Sequence, residues 1–508
     1  MVTHIVKLNP RRKFVDEVAD AIAACVRTTP VGVSSLAHVL VVVPTAESGR
    51  RLRLALARRF ERGCVPPFVR MPSLLLAGGD DVASPVRELA ELAKLLAAMQ
   101  PDDFPALFPH PPAERTEDWC VSMAAQLADL WRILGANALG FADVASRAPE
   151  LIVNENADLE IARWNDLAAL EERFFDSLHK AGLVHRLEAM KSALKAPDIP
   201  DGVERIFLAG AGEEMPAVRK IQWPVEPVEL APGDAGTIAL ERRNIFPCGT
   251  AGEESKRIAA YFADVRSDEA LPSLCLADAE MFPELHGAME AKELRLHDPS
   301  RQLIVTSSLG HLVAQILALL RGGSYTVFSA FVRMGDVRRW IMEELRLTDD
   351  ELTAALVDLD NRQAELLPEK IDDIAPKTEK TLRAIFEFVK VQLRKKGLRT
   401  ILSSIFRDFT LDERDPCARE FAAAAEAVND LISECPAAGT DPALACELFE
   451  MRLEETTYSL EPDEGDVILT DGWMEIPFLD ADELVITGFN EGRVPESVVG
   501  HAFLPDRL

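Results

Sequence analysis

Two stretches near opposite ends of the chain hold residue types whose spacing could do chemistry. The first is Leu484-Val-Ile-Thr-Gly-Phe-Asn-Glu-Gly-Arg-Val-Pro495. Its apolar start, Leu484 to Ile486, predicts a buried strand. The tip of that strand carries Gly488, Asn490, Glu491, Gly492 and Pro495, and strand tips are where open α/β sheets grip ligands. The second stretch is basic. Val39-Leu-Val-Val-Val43 predicts a strand buried on both faces, ended by Pro44 and Thr45. The helix after it, from about Ser48 to Arg62, carries Arg50, Arg51, Arg53 and Arg58. Those cations suit phosphate groups; the competing reading is that they only solvate a helix face.

Other chemistry is argued against by what is missing. Phosphate cradling needs glycines, then Lys and Ser or Thr for the terminal phosphates and magnesium. Asn9-Pro-Arg-Arg-Lys13-Phe14 has no glycine, and Pro10 removes an N–H donor. No G-x-x-x-x-G-K-[ST] occurs elsewhere, so ATP hydrolysis by this chain is not expected. A PD-(D/E)XK nuclease needs carboxylates and a lysine on neighbouring strands. Glu290-Ala-Lys292 after Pro283-Glu284 sits in a helical pattern, and Pro462-Asp463 has no Glu-x-Lys downstream. The eight scattered cysteines read as buried thiols in a reducing cytoplasm. The histidines form no ligand spacing. No catalytic residue and no metal ligand is therefore expected.

The elements that must position these residues follow from periodicity. A strand at His4 to Leu8 precedes a helix with Val15, Val18, Ala19, Ile22 and Val26 at helical spacing. Strand, helix, strand, helix is a βαβ beginning. From about Ser84 to Ala196 the pattern is mostly helical. A strand returns at Val203 to Gly212, with a helix from Pro216 to Ile221, and another strand at Leu274 to Asp278. Leu303 to Leu453 is again helical before Leu484. At 508 residues the chain is too long for one core, and three or four domains are expected. No apolar run of about 18 residues predicts a membrane span.

These residues resemble a known family. Gly488 to Pro495 resembles the "G-L-N-E-G-x-x-P" loop in the second motor domain of UvrD/Rep-type superfamily 1 helicases. It resembles most closely the degenerate form in AddB-like helicase–nuclease subunits of double-strand-break repair, with Phe489 in place of Leu. Val39 to Thr45 with Gly49, Arg50 and Arg51 resembles their "V-P-T-x-x-x-G-R-R-L-R" segment. Arg205 to Gly212 with Pro216 and Ala217 resembles the station of the Walker B acids. Here, though, the strand offers Leu208-Ala-Gly, and Glu213 and Glu214 lie past its tip. Gly252 to Ile258 resembles the opening of the second motor domain, and Ser308-Leu-Gly310 with Val337 to Trp340 the insertion that follows.

The resemblance implies an α/β fold of two RecA-like (P-loop NTPase-like) parallel-sheet domains, each with a helical insertion. The first would span 1–83 and 201–245 around an insertion at 84–200. The second would span 246–302 and 461–508 around an insertion at 303–460, ending before any nuclease domain. Thr45, Arg50, Arg51, Arg53 and Arg58 would touch DNA, and Gly488, Asn490, Glu491, Gly492 and Pro495 would form the helicase-like loop. Implied partners are single-stranded or forked DNA and an AddA-like ATP-dependent helicase subunit, with no membrane, in the cytoplasm. No cofactor is expected in this chain; in related proteins magnesium and an iron–sulfur cluster belong to the C-terminal region.

Charge sets the alternatives. A net charge of −29 opposes a polyanion, so DNA needs a local basic face. Residues 1 to 70 supply twelve Lys and Arg against five acids, which leaves the rest at −36. Glu461 to Glu491 holds ten acids and no cation, and is expected to face solvent or a basic partner. Lys390, Arg394, Lys395, Lys396 and Arg399 gather near a helix end, where they complement its dipole or contact DNA. The function expected is a DNA-binding scaffold of a repair helicase–nuclease with degenerate ATPase motifs. The alternative is a non-enzymatic protein-interaction module on a decayed helicase fold.

Overall fold

A computed structural model describes residues 4–60, 62–79, 81–100, 102–152, 156–210, 216–234, 244–265, 271–298, 302–370, 379–395, 397–407, 410, 415–435, 442–460 and 467–494. Gly212, Glu213, Glu214, Lys396 and Pro495 lie outside them. The described chain is α/β, and its two larger sheets are parallel throughout.

The first unit contains β1 (His4–Leu8), β2 (Arg27–Thr28), β3 (Ser34–Ser35), β4 (Val39–Val42), β5 (Cys64–Val65), β6 (Phe68–Arg70), β7 (Arg205–Ala209) and β8 (Val228–Pro232). Alternation of side chains builds its sheet. Val39, Val41 and Val43 enter one apolar layer with the helices α1 (Phe14–Ala23) and α2 (Ala46–Ala57), while Leu40 and Val42 enter the opposite one. Phe207 and Ala209 divide from Ile206 and Leu208 in the same way. A strand covered on both faces needs this unbroken apolar run. Strand order is β1-β8-β7-β4-β6. The chain leaves β4 toward β6 on one side and β7 toward β8 on the other. The order therefore reverses between β4 and β7, where open sheets form a crevice beyond the strand ends. The two-residue strands β2, β3 and β5 form a separate small sheet.

Between β6 and β7 lie α3 (Pro72–Leu75), α4 (Pro85–Ala98), α5 (Glu117–Gly135), α6 (Phe141–Leu151), α7 (Ala157–Lys180) and α8 (Arg186–Lys195). Helices α4 to α7 share one core, pinned by a buried carboxylate. Glu171 accepts hydrogen bonds from Trp131 Nε1 (2.7 Å), Phe141 N (2.9 Å) and Ala142 N (3.0 Å). Where the sequence expects a helix to begin over 216–221, the chain makes only a 3-10 turn, Pro216–Lys220, and Pro224 disfavours helical geometry at Trp223, so no helix runs on.

The second unit has α9 (Ala251–Asp264), β9 (Ser273–Leu276), α10 (Phe282–Glu290), β10 (Arg295–His297), β11 (Gln302–Leu303), β12 (Thr457–Tyr458), β13 (Val467–Gly472) and β14 (Leu484–Thr487). Its sheet order is β10-β13-β9-β14, while β11 and β12 pair antiparallel where the second insertion leaves and returns. Strand β14 is an edge strand with Ile486 40% exposed, not the buried strand its apolar residues predict.

The second insertion runs through α11 (Ser308–Leu320), α12 (Tyr325–Phe331), α13 (Gly335–Leu345), α14 (Asp349–Leu366), α15 (Lys380–Lys395), α16 (Leu398–Ile405), α17 (Pro416–Glu434) and α18 (Pro442–Glu455). Gly310 has to be glycine, because a Cβ there would stand 1.9 Å from the Ile304 carbonyl oxygen. Helix α18 bridges the insertions: Leu448 joins the first core, Phe449 and Leu453 the second.

Candidate functional site

The two α/β units meet through the segment that follows β13. A 3-10 helix, Trp473–Phe478, packs on α1 and α2 of the first unit. Phe478 is 1% exposed, its ring 5.6 Å from Phe14 at an interplanar angle of 87°. A Cβ at Gly210 would stand 3.9 Å from that ring and 3.8 Å from Pro44. The crevice beyond β4 and β7 is thus filled by an aromatic side chain from the other unit. Burying such a ring contributes about 1.5–3 kcal/mol, with about 0.5–1.5 kcal/mol more for the edge-to-face pair.

Ion pairs surround this plug. Lys13 Nζ lies 2.9 Å from both Asp480 Oδ1 and Asp482 Oδ1, and Arg58 also pairs with Asp480. Arg51 reaches Glu47 at 2.9 Å on its own helix and Asp471 at the end of β13. Asp471 is buried, and desolvation pushes its carboxyl up to about 6 although Arg51 pulls it down; Glu47 and Glu475 nearby add to the rise. Glu47 itself is held below the usual carboxylate range, first by its hydrogen bond from Arg50.

Each residue expected to touch DNA has a definite place. Thr45 is the N-cap of α2, its Oγ1 accepting from Ser48 N at 3.1 Å. Arg50 stays on Glu47, while Arg51 and Arg58 turn to the second unit. Arg53 is exposed and makes no ion pair among the described residues.

The glycine loop is fixed from beneath. Thr487 Oγ1 (2.5 Å) and Gly488 N (2.8 Å) both donate to Glu254 Oε1, from the first turn of α9. Gly488 has φ +72°, and a Cβ there would meet Asp278 Cβ at 2.7 Å. Asn490 O accepts from Arg493 N and Val494 N at 3.1 and 3.2 Å. The Arg493 side chain pairs with Asp278 (3.3 Å) and Glu280 (2.8 Å). Asn490, Glu491 and Gly492 are exposed, and Phe489 is 66% exposed.

The residues do not fit a magnesium nucleotide at the first loop. Asn9 N donates to Glu17 and Arg11 N to Asn9 Oδ1, both at 3.1 Å, and Lys13 is held by carboxylates. Among the described residues no three His, Cys, Asp or Glu are arranged to hold a metal ion. Glu290 ends α10 and Lys292 lies in the turn after it, not on adjacent strands. In the other basic patch Lys390 lies over the Phe386 ring at 5.2 Å, and Arg399 donates to Ser433 at 2.9 Å.

Sequence reasoning missed Phe478, Asp471, Asp480, Asp482 and Glu254. One signal pointed to the aspartates: a cation-free acidic stretch in the same chain as a basic first seventy residues. Against known proteins, no family model matches this chain and no curated protein matches it.

Proposed function

We propose that the chain is a DNA-binding scaffold on a superfamily 1 helicase-like fold, built from two RecA-like units and without a motor of its own. The observation that carries this reading is the pair of hydrogen bonds from Thr487 and Gly488 to Glu254. They join two stretches, 252–258 and 488–495, that independently resemble stations of the AddB-like family. Two parallel sheets, each interrupted by a helical insertion, support the same reading. So does a first loop unsuited to nucleotide, since hydrolysis would then fall to an AddA-like helicase subunit. Single-stranded or forked DNA would lie along the exposed cations of the first unit, with Arg50 and Arg53 among its phosphate contacts.

A second reading, a protein-interaction module, is favoured by one observation: Lys13, Arg51 and Arg58 are already paired with carboxylates of the same chain. A salt titration of forked-DNA binding separates the two, comparing the native chain with Arg50→Ala/Arg53→Ala. The scaffold reading expects log affinity to fall with log salt by roughly 0.7 per single-strand phosphate contact, and expects the variant to bind more weakly with a shallower slope. No binding at low salt by a folded native chain would remove DNA from the proposal.

A further inference from the structure

Building on the scaffold reading, we infer that the segment 471–482 is an internal substitute for a phosphate backbone, holding the first unit's cations until a polyanion displaces its carboxylates. Carboxylate and phosphate oxygens accept the same charge-assisted hydrogen bonds from lysine and guanidinium groups. Lys13 is gripped by two aspartates and Arg58 by one of the same pair. All of these carboxylates come from the stretch 453–492, which has no Lys or Arg of its own to neutralise it.

The grip is graded. At its inner end Asp471 is buried on Arg51 and Phe478 is sealed against Phe14. At its outer end the side chains of Asp482 and Arg58 are 94% and 65% exposed. Exposed pairs are weak and screened by salt, so residues 480–482 can release Lys13 and Arg58 while the Phe478 anchor holds. In a chain of net charge −29, such self-pairing also keeps the basic face from gathering stray anions.

The test uses the full chain carrying Asp480→Asn/Asp482→Asn, titrated with labelled oligo-dT single strands and with inorganic polyphosphate over a range of salt. A control, Glu343→Gln/Asp350→Asn, removes the same charge from exposed sites on the second insertion. Binding of both ligands is expected to tighten about ten-fold at low salt in the first variant only. Its DNA salt slope should steepen by roughly 1.4, for two further single-strand phosphate contacts. Adding Lys13→Ala and Arg58→Ala should cancel the gain. If the native chain binds DNA and the variant binds no tighter than the control, the inference fails and the scaffold reading stands. If polyphosphate binding rises but DNA is not bound, the inference stands and the DNA reading fails. If neither ligand binds any of the folded proteins, both are overturned.

Discussion

Arg51, on the second helix of the first α/β unit, donates to Asp471 at the end of a strand in the second, 420 residues away in sequence. The side chains are 17% and 3% exposed, so the contact lies inside the joint between the units. Arg51 keeps Glu47 as a second partner, and one guanidinium therefore serves a helix surface and an interdomain seam together.

That pair makes the joint sensitive to pH. Burial raises the Asp471 carboxyl from its ordinary 3.8 to about 6. The native state thus binds the proton more tightly than the unfolded chain, and this group's contribution is full below about pH 4 and lost as pH rises through about 6. Glu47, with its lowered value, works the other way at lower pH. After correction for intrinsic exchange rates, amide protection across 473–479 should be greater at pH 5.5 than at pH 7.5, and Asp471→Asn should flatten the difference. Equal pH dependence in both proteins would contradict the assignment.

Phe478→Ala should weaken docking between the units by about 3–5 kcal/mol, the usual range for emptying a buried aromatic site. Exchange in α1 and in 473–479 should accelerate together, while the helical insertions keep their protection. A double-mutant cycle with Phe14→Ala should return a coupling of about 0.5–1.5 kcal/mol.

The glycine loop should fail in two distinguishable ways. Gly488→Ala forces a Cβ to within 2.7 Å of Asp278 at φ +72° and is expected to cost more than about 1–2 kcal/mol. Glu254→Ala instead strands the Thr487 hydroxyl and the Gly488 amide, at about 1–3 kcal/mol for each buried group. Glu254→Gln keeps an acceptor and should recover most of that loss in denaturant titrations.

Within the first insertion, Glu171→Ala leaves two buried donors, Trp131 Nε1 and Phe141 N, and the part-buried Ala142 N without their acceptor. The expected loss exceeds about 3 kcal/mol, and the near-UV signal of Trp131 should change with it. Unchanged stability would mean that water replaces the carboxylate.

The purified chain should show no DNA-stimulated ATP turnover, because the first loop has no glycine and its Lys13 is held by Asp480 and Asp482. Turnover abolished by Lys13→Ala would overturn that reading of the loop.

By itself the sequence determined what depends on neighbours in the chain. The unbroken valines of Val39–Val43 require a strand covered on both faces, and Val15, Val18, Ala19 and Ile22 require a helix with one buried face. Both are found so. Such patterns are legible because backbone geometry fixes which side chains share a face. The strands Phe68–Arg70, Val228–Pro232 and Arg295–His297 were not legible, since charged residues or a proline break any apolar run in them and each exists through pairing with distant partners. Only the tertiary structure decided the joint. Phe478 reads as any apolar residue until it lies against Phe14, and Asp480 as any surface acid until Lys13 and Arg58 meet it. Charge and burial depend on what the fold brings within a few ångströms, and residues hundreds of positions apart carry no local trace of one another.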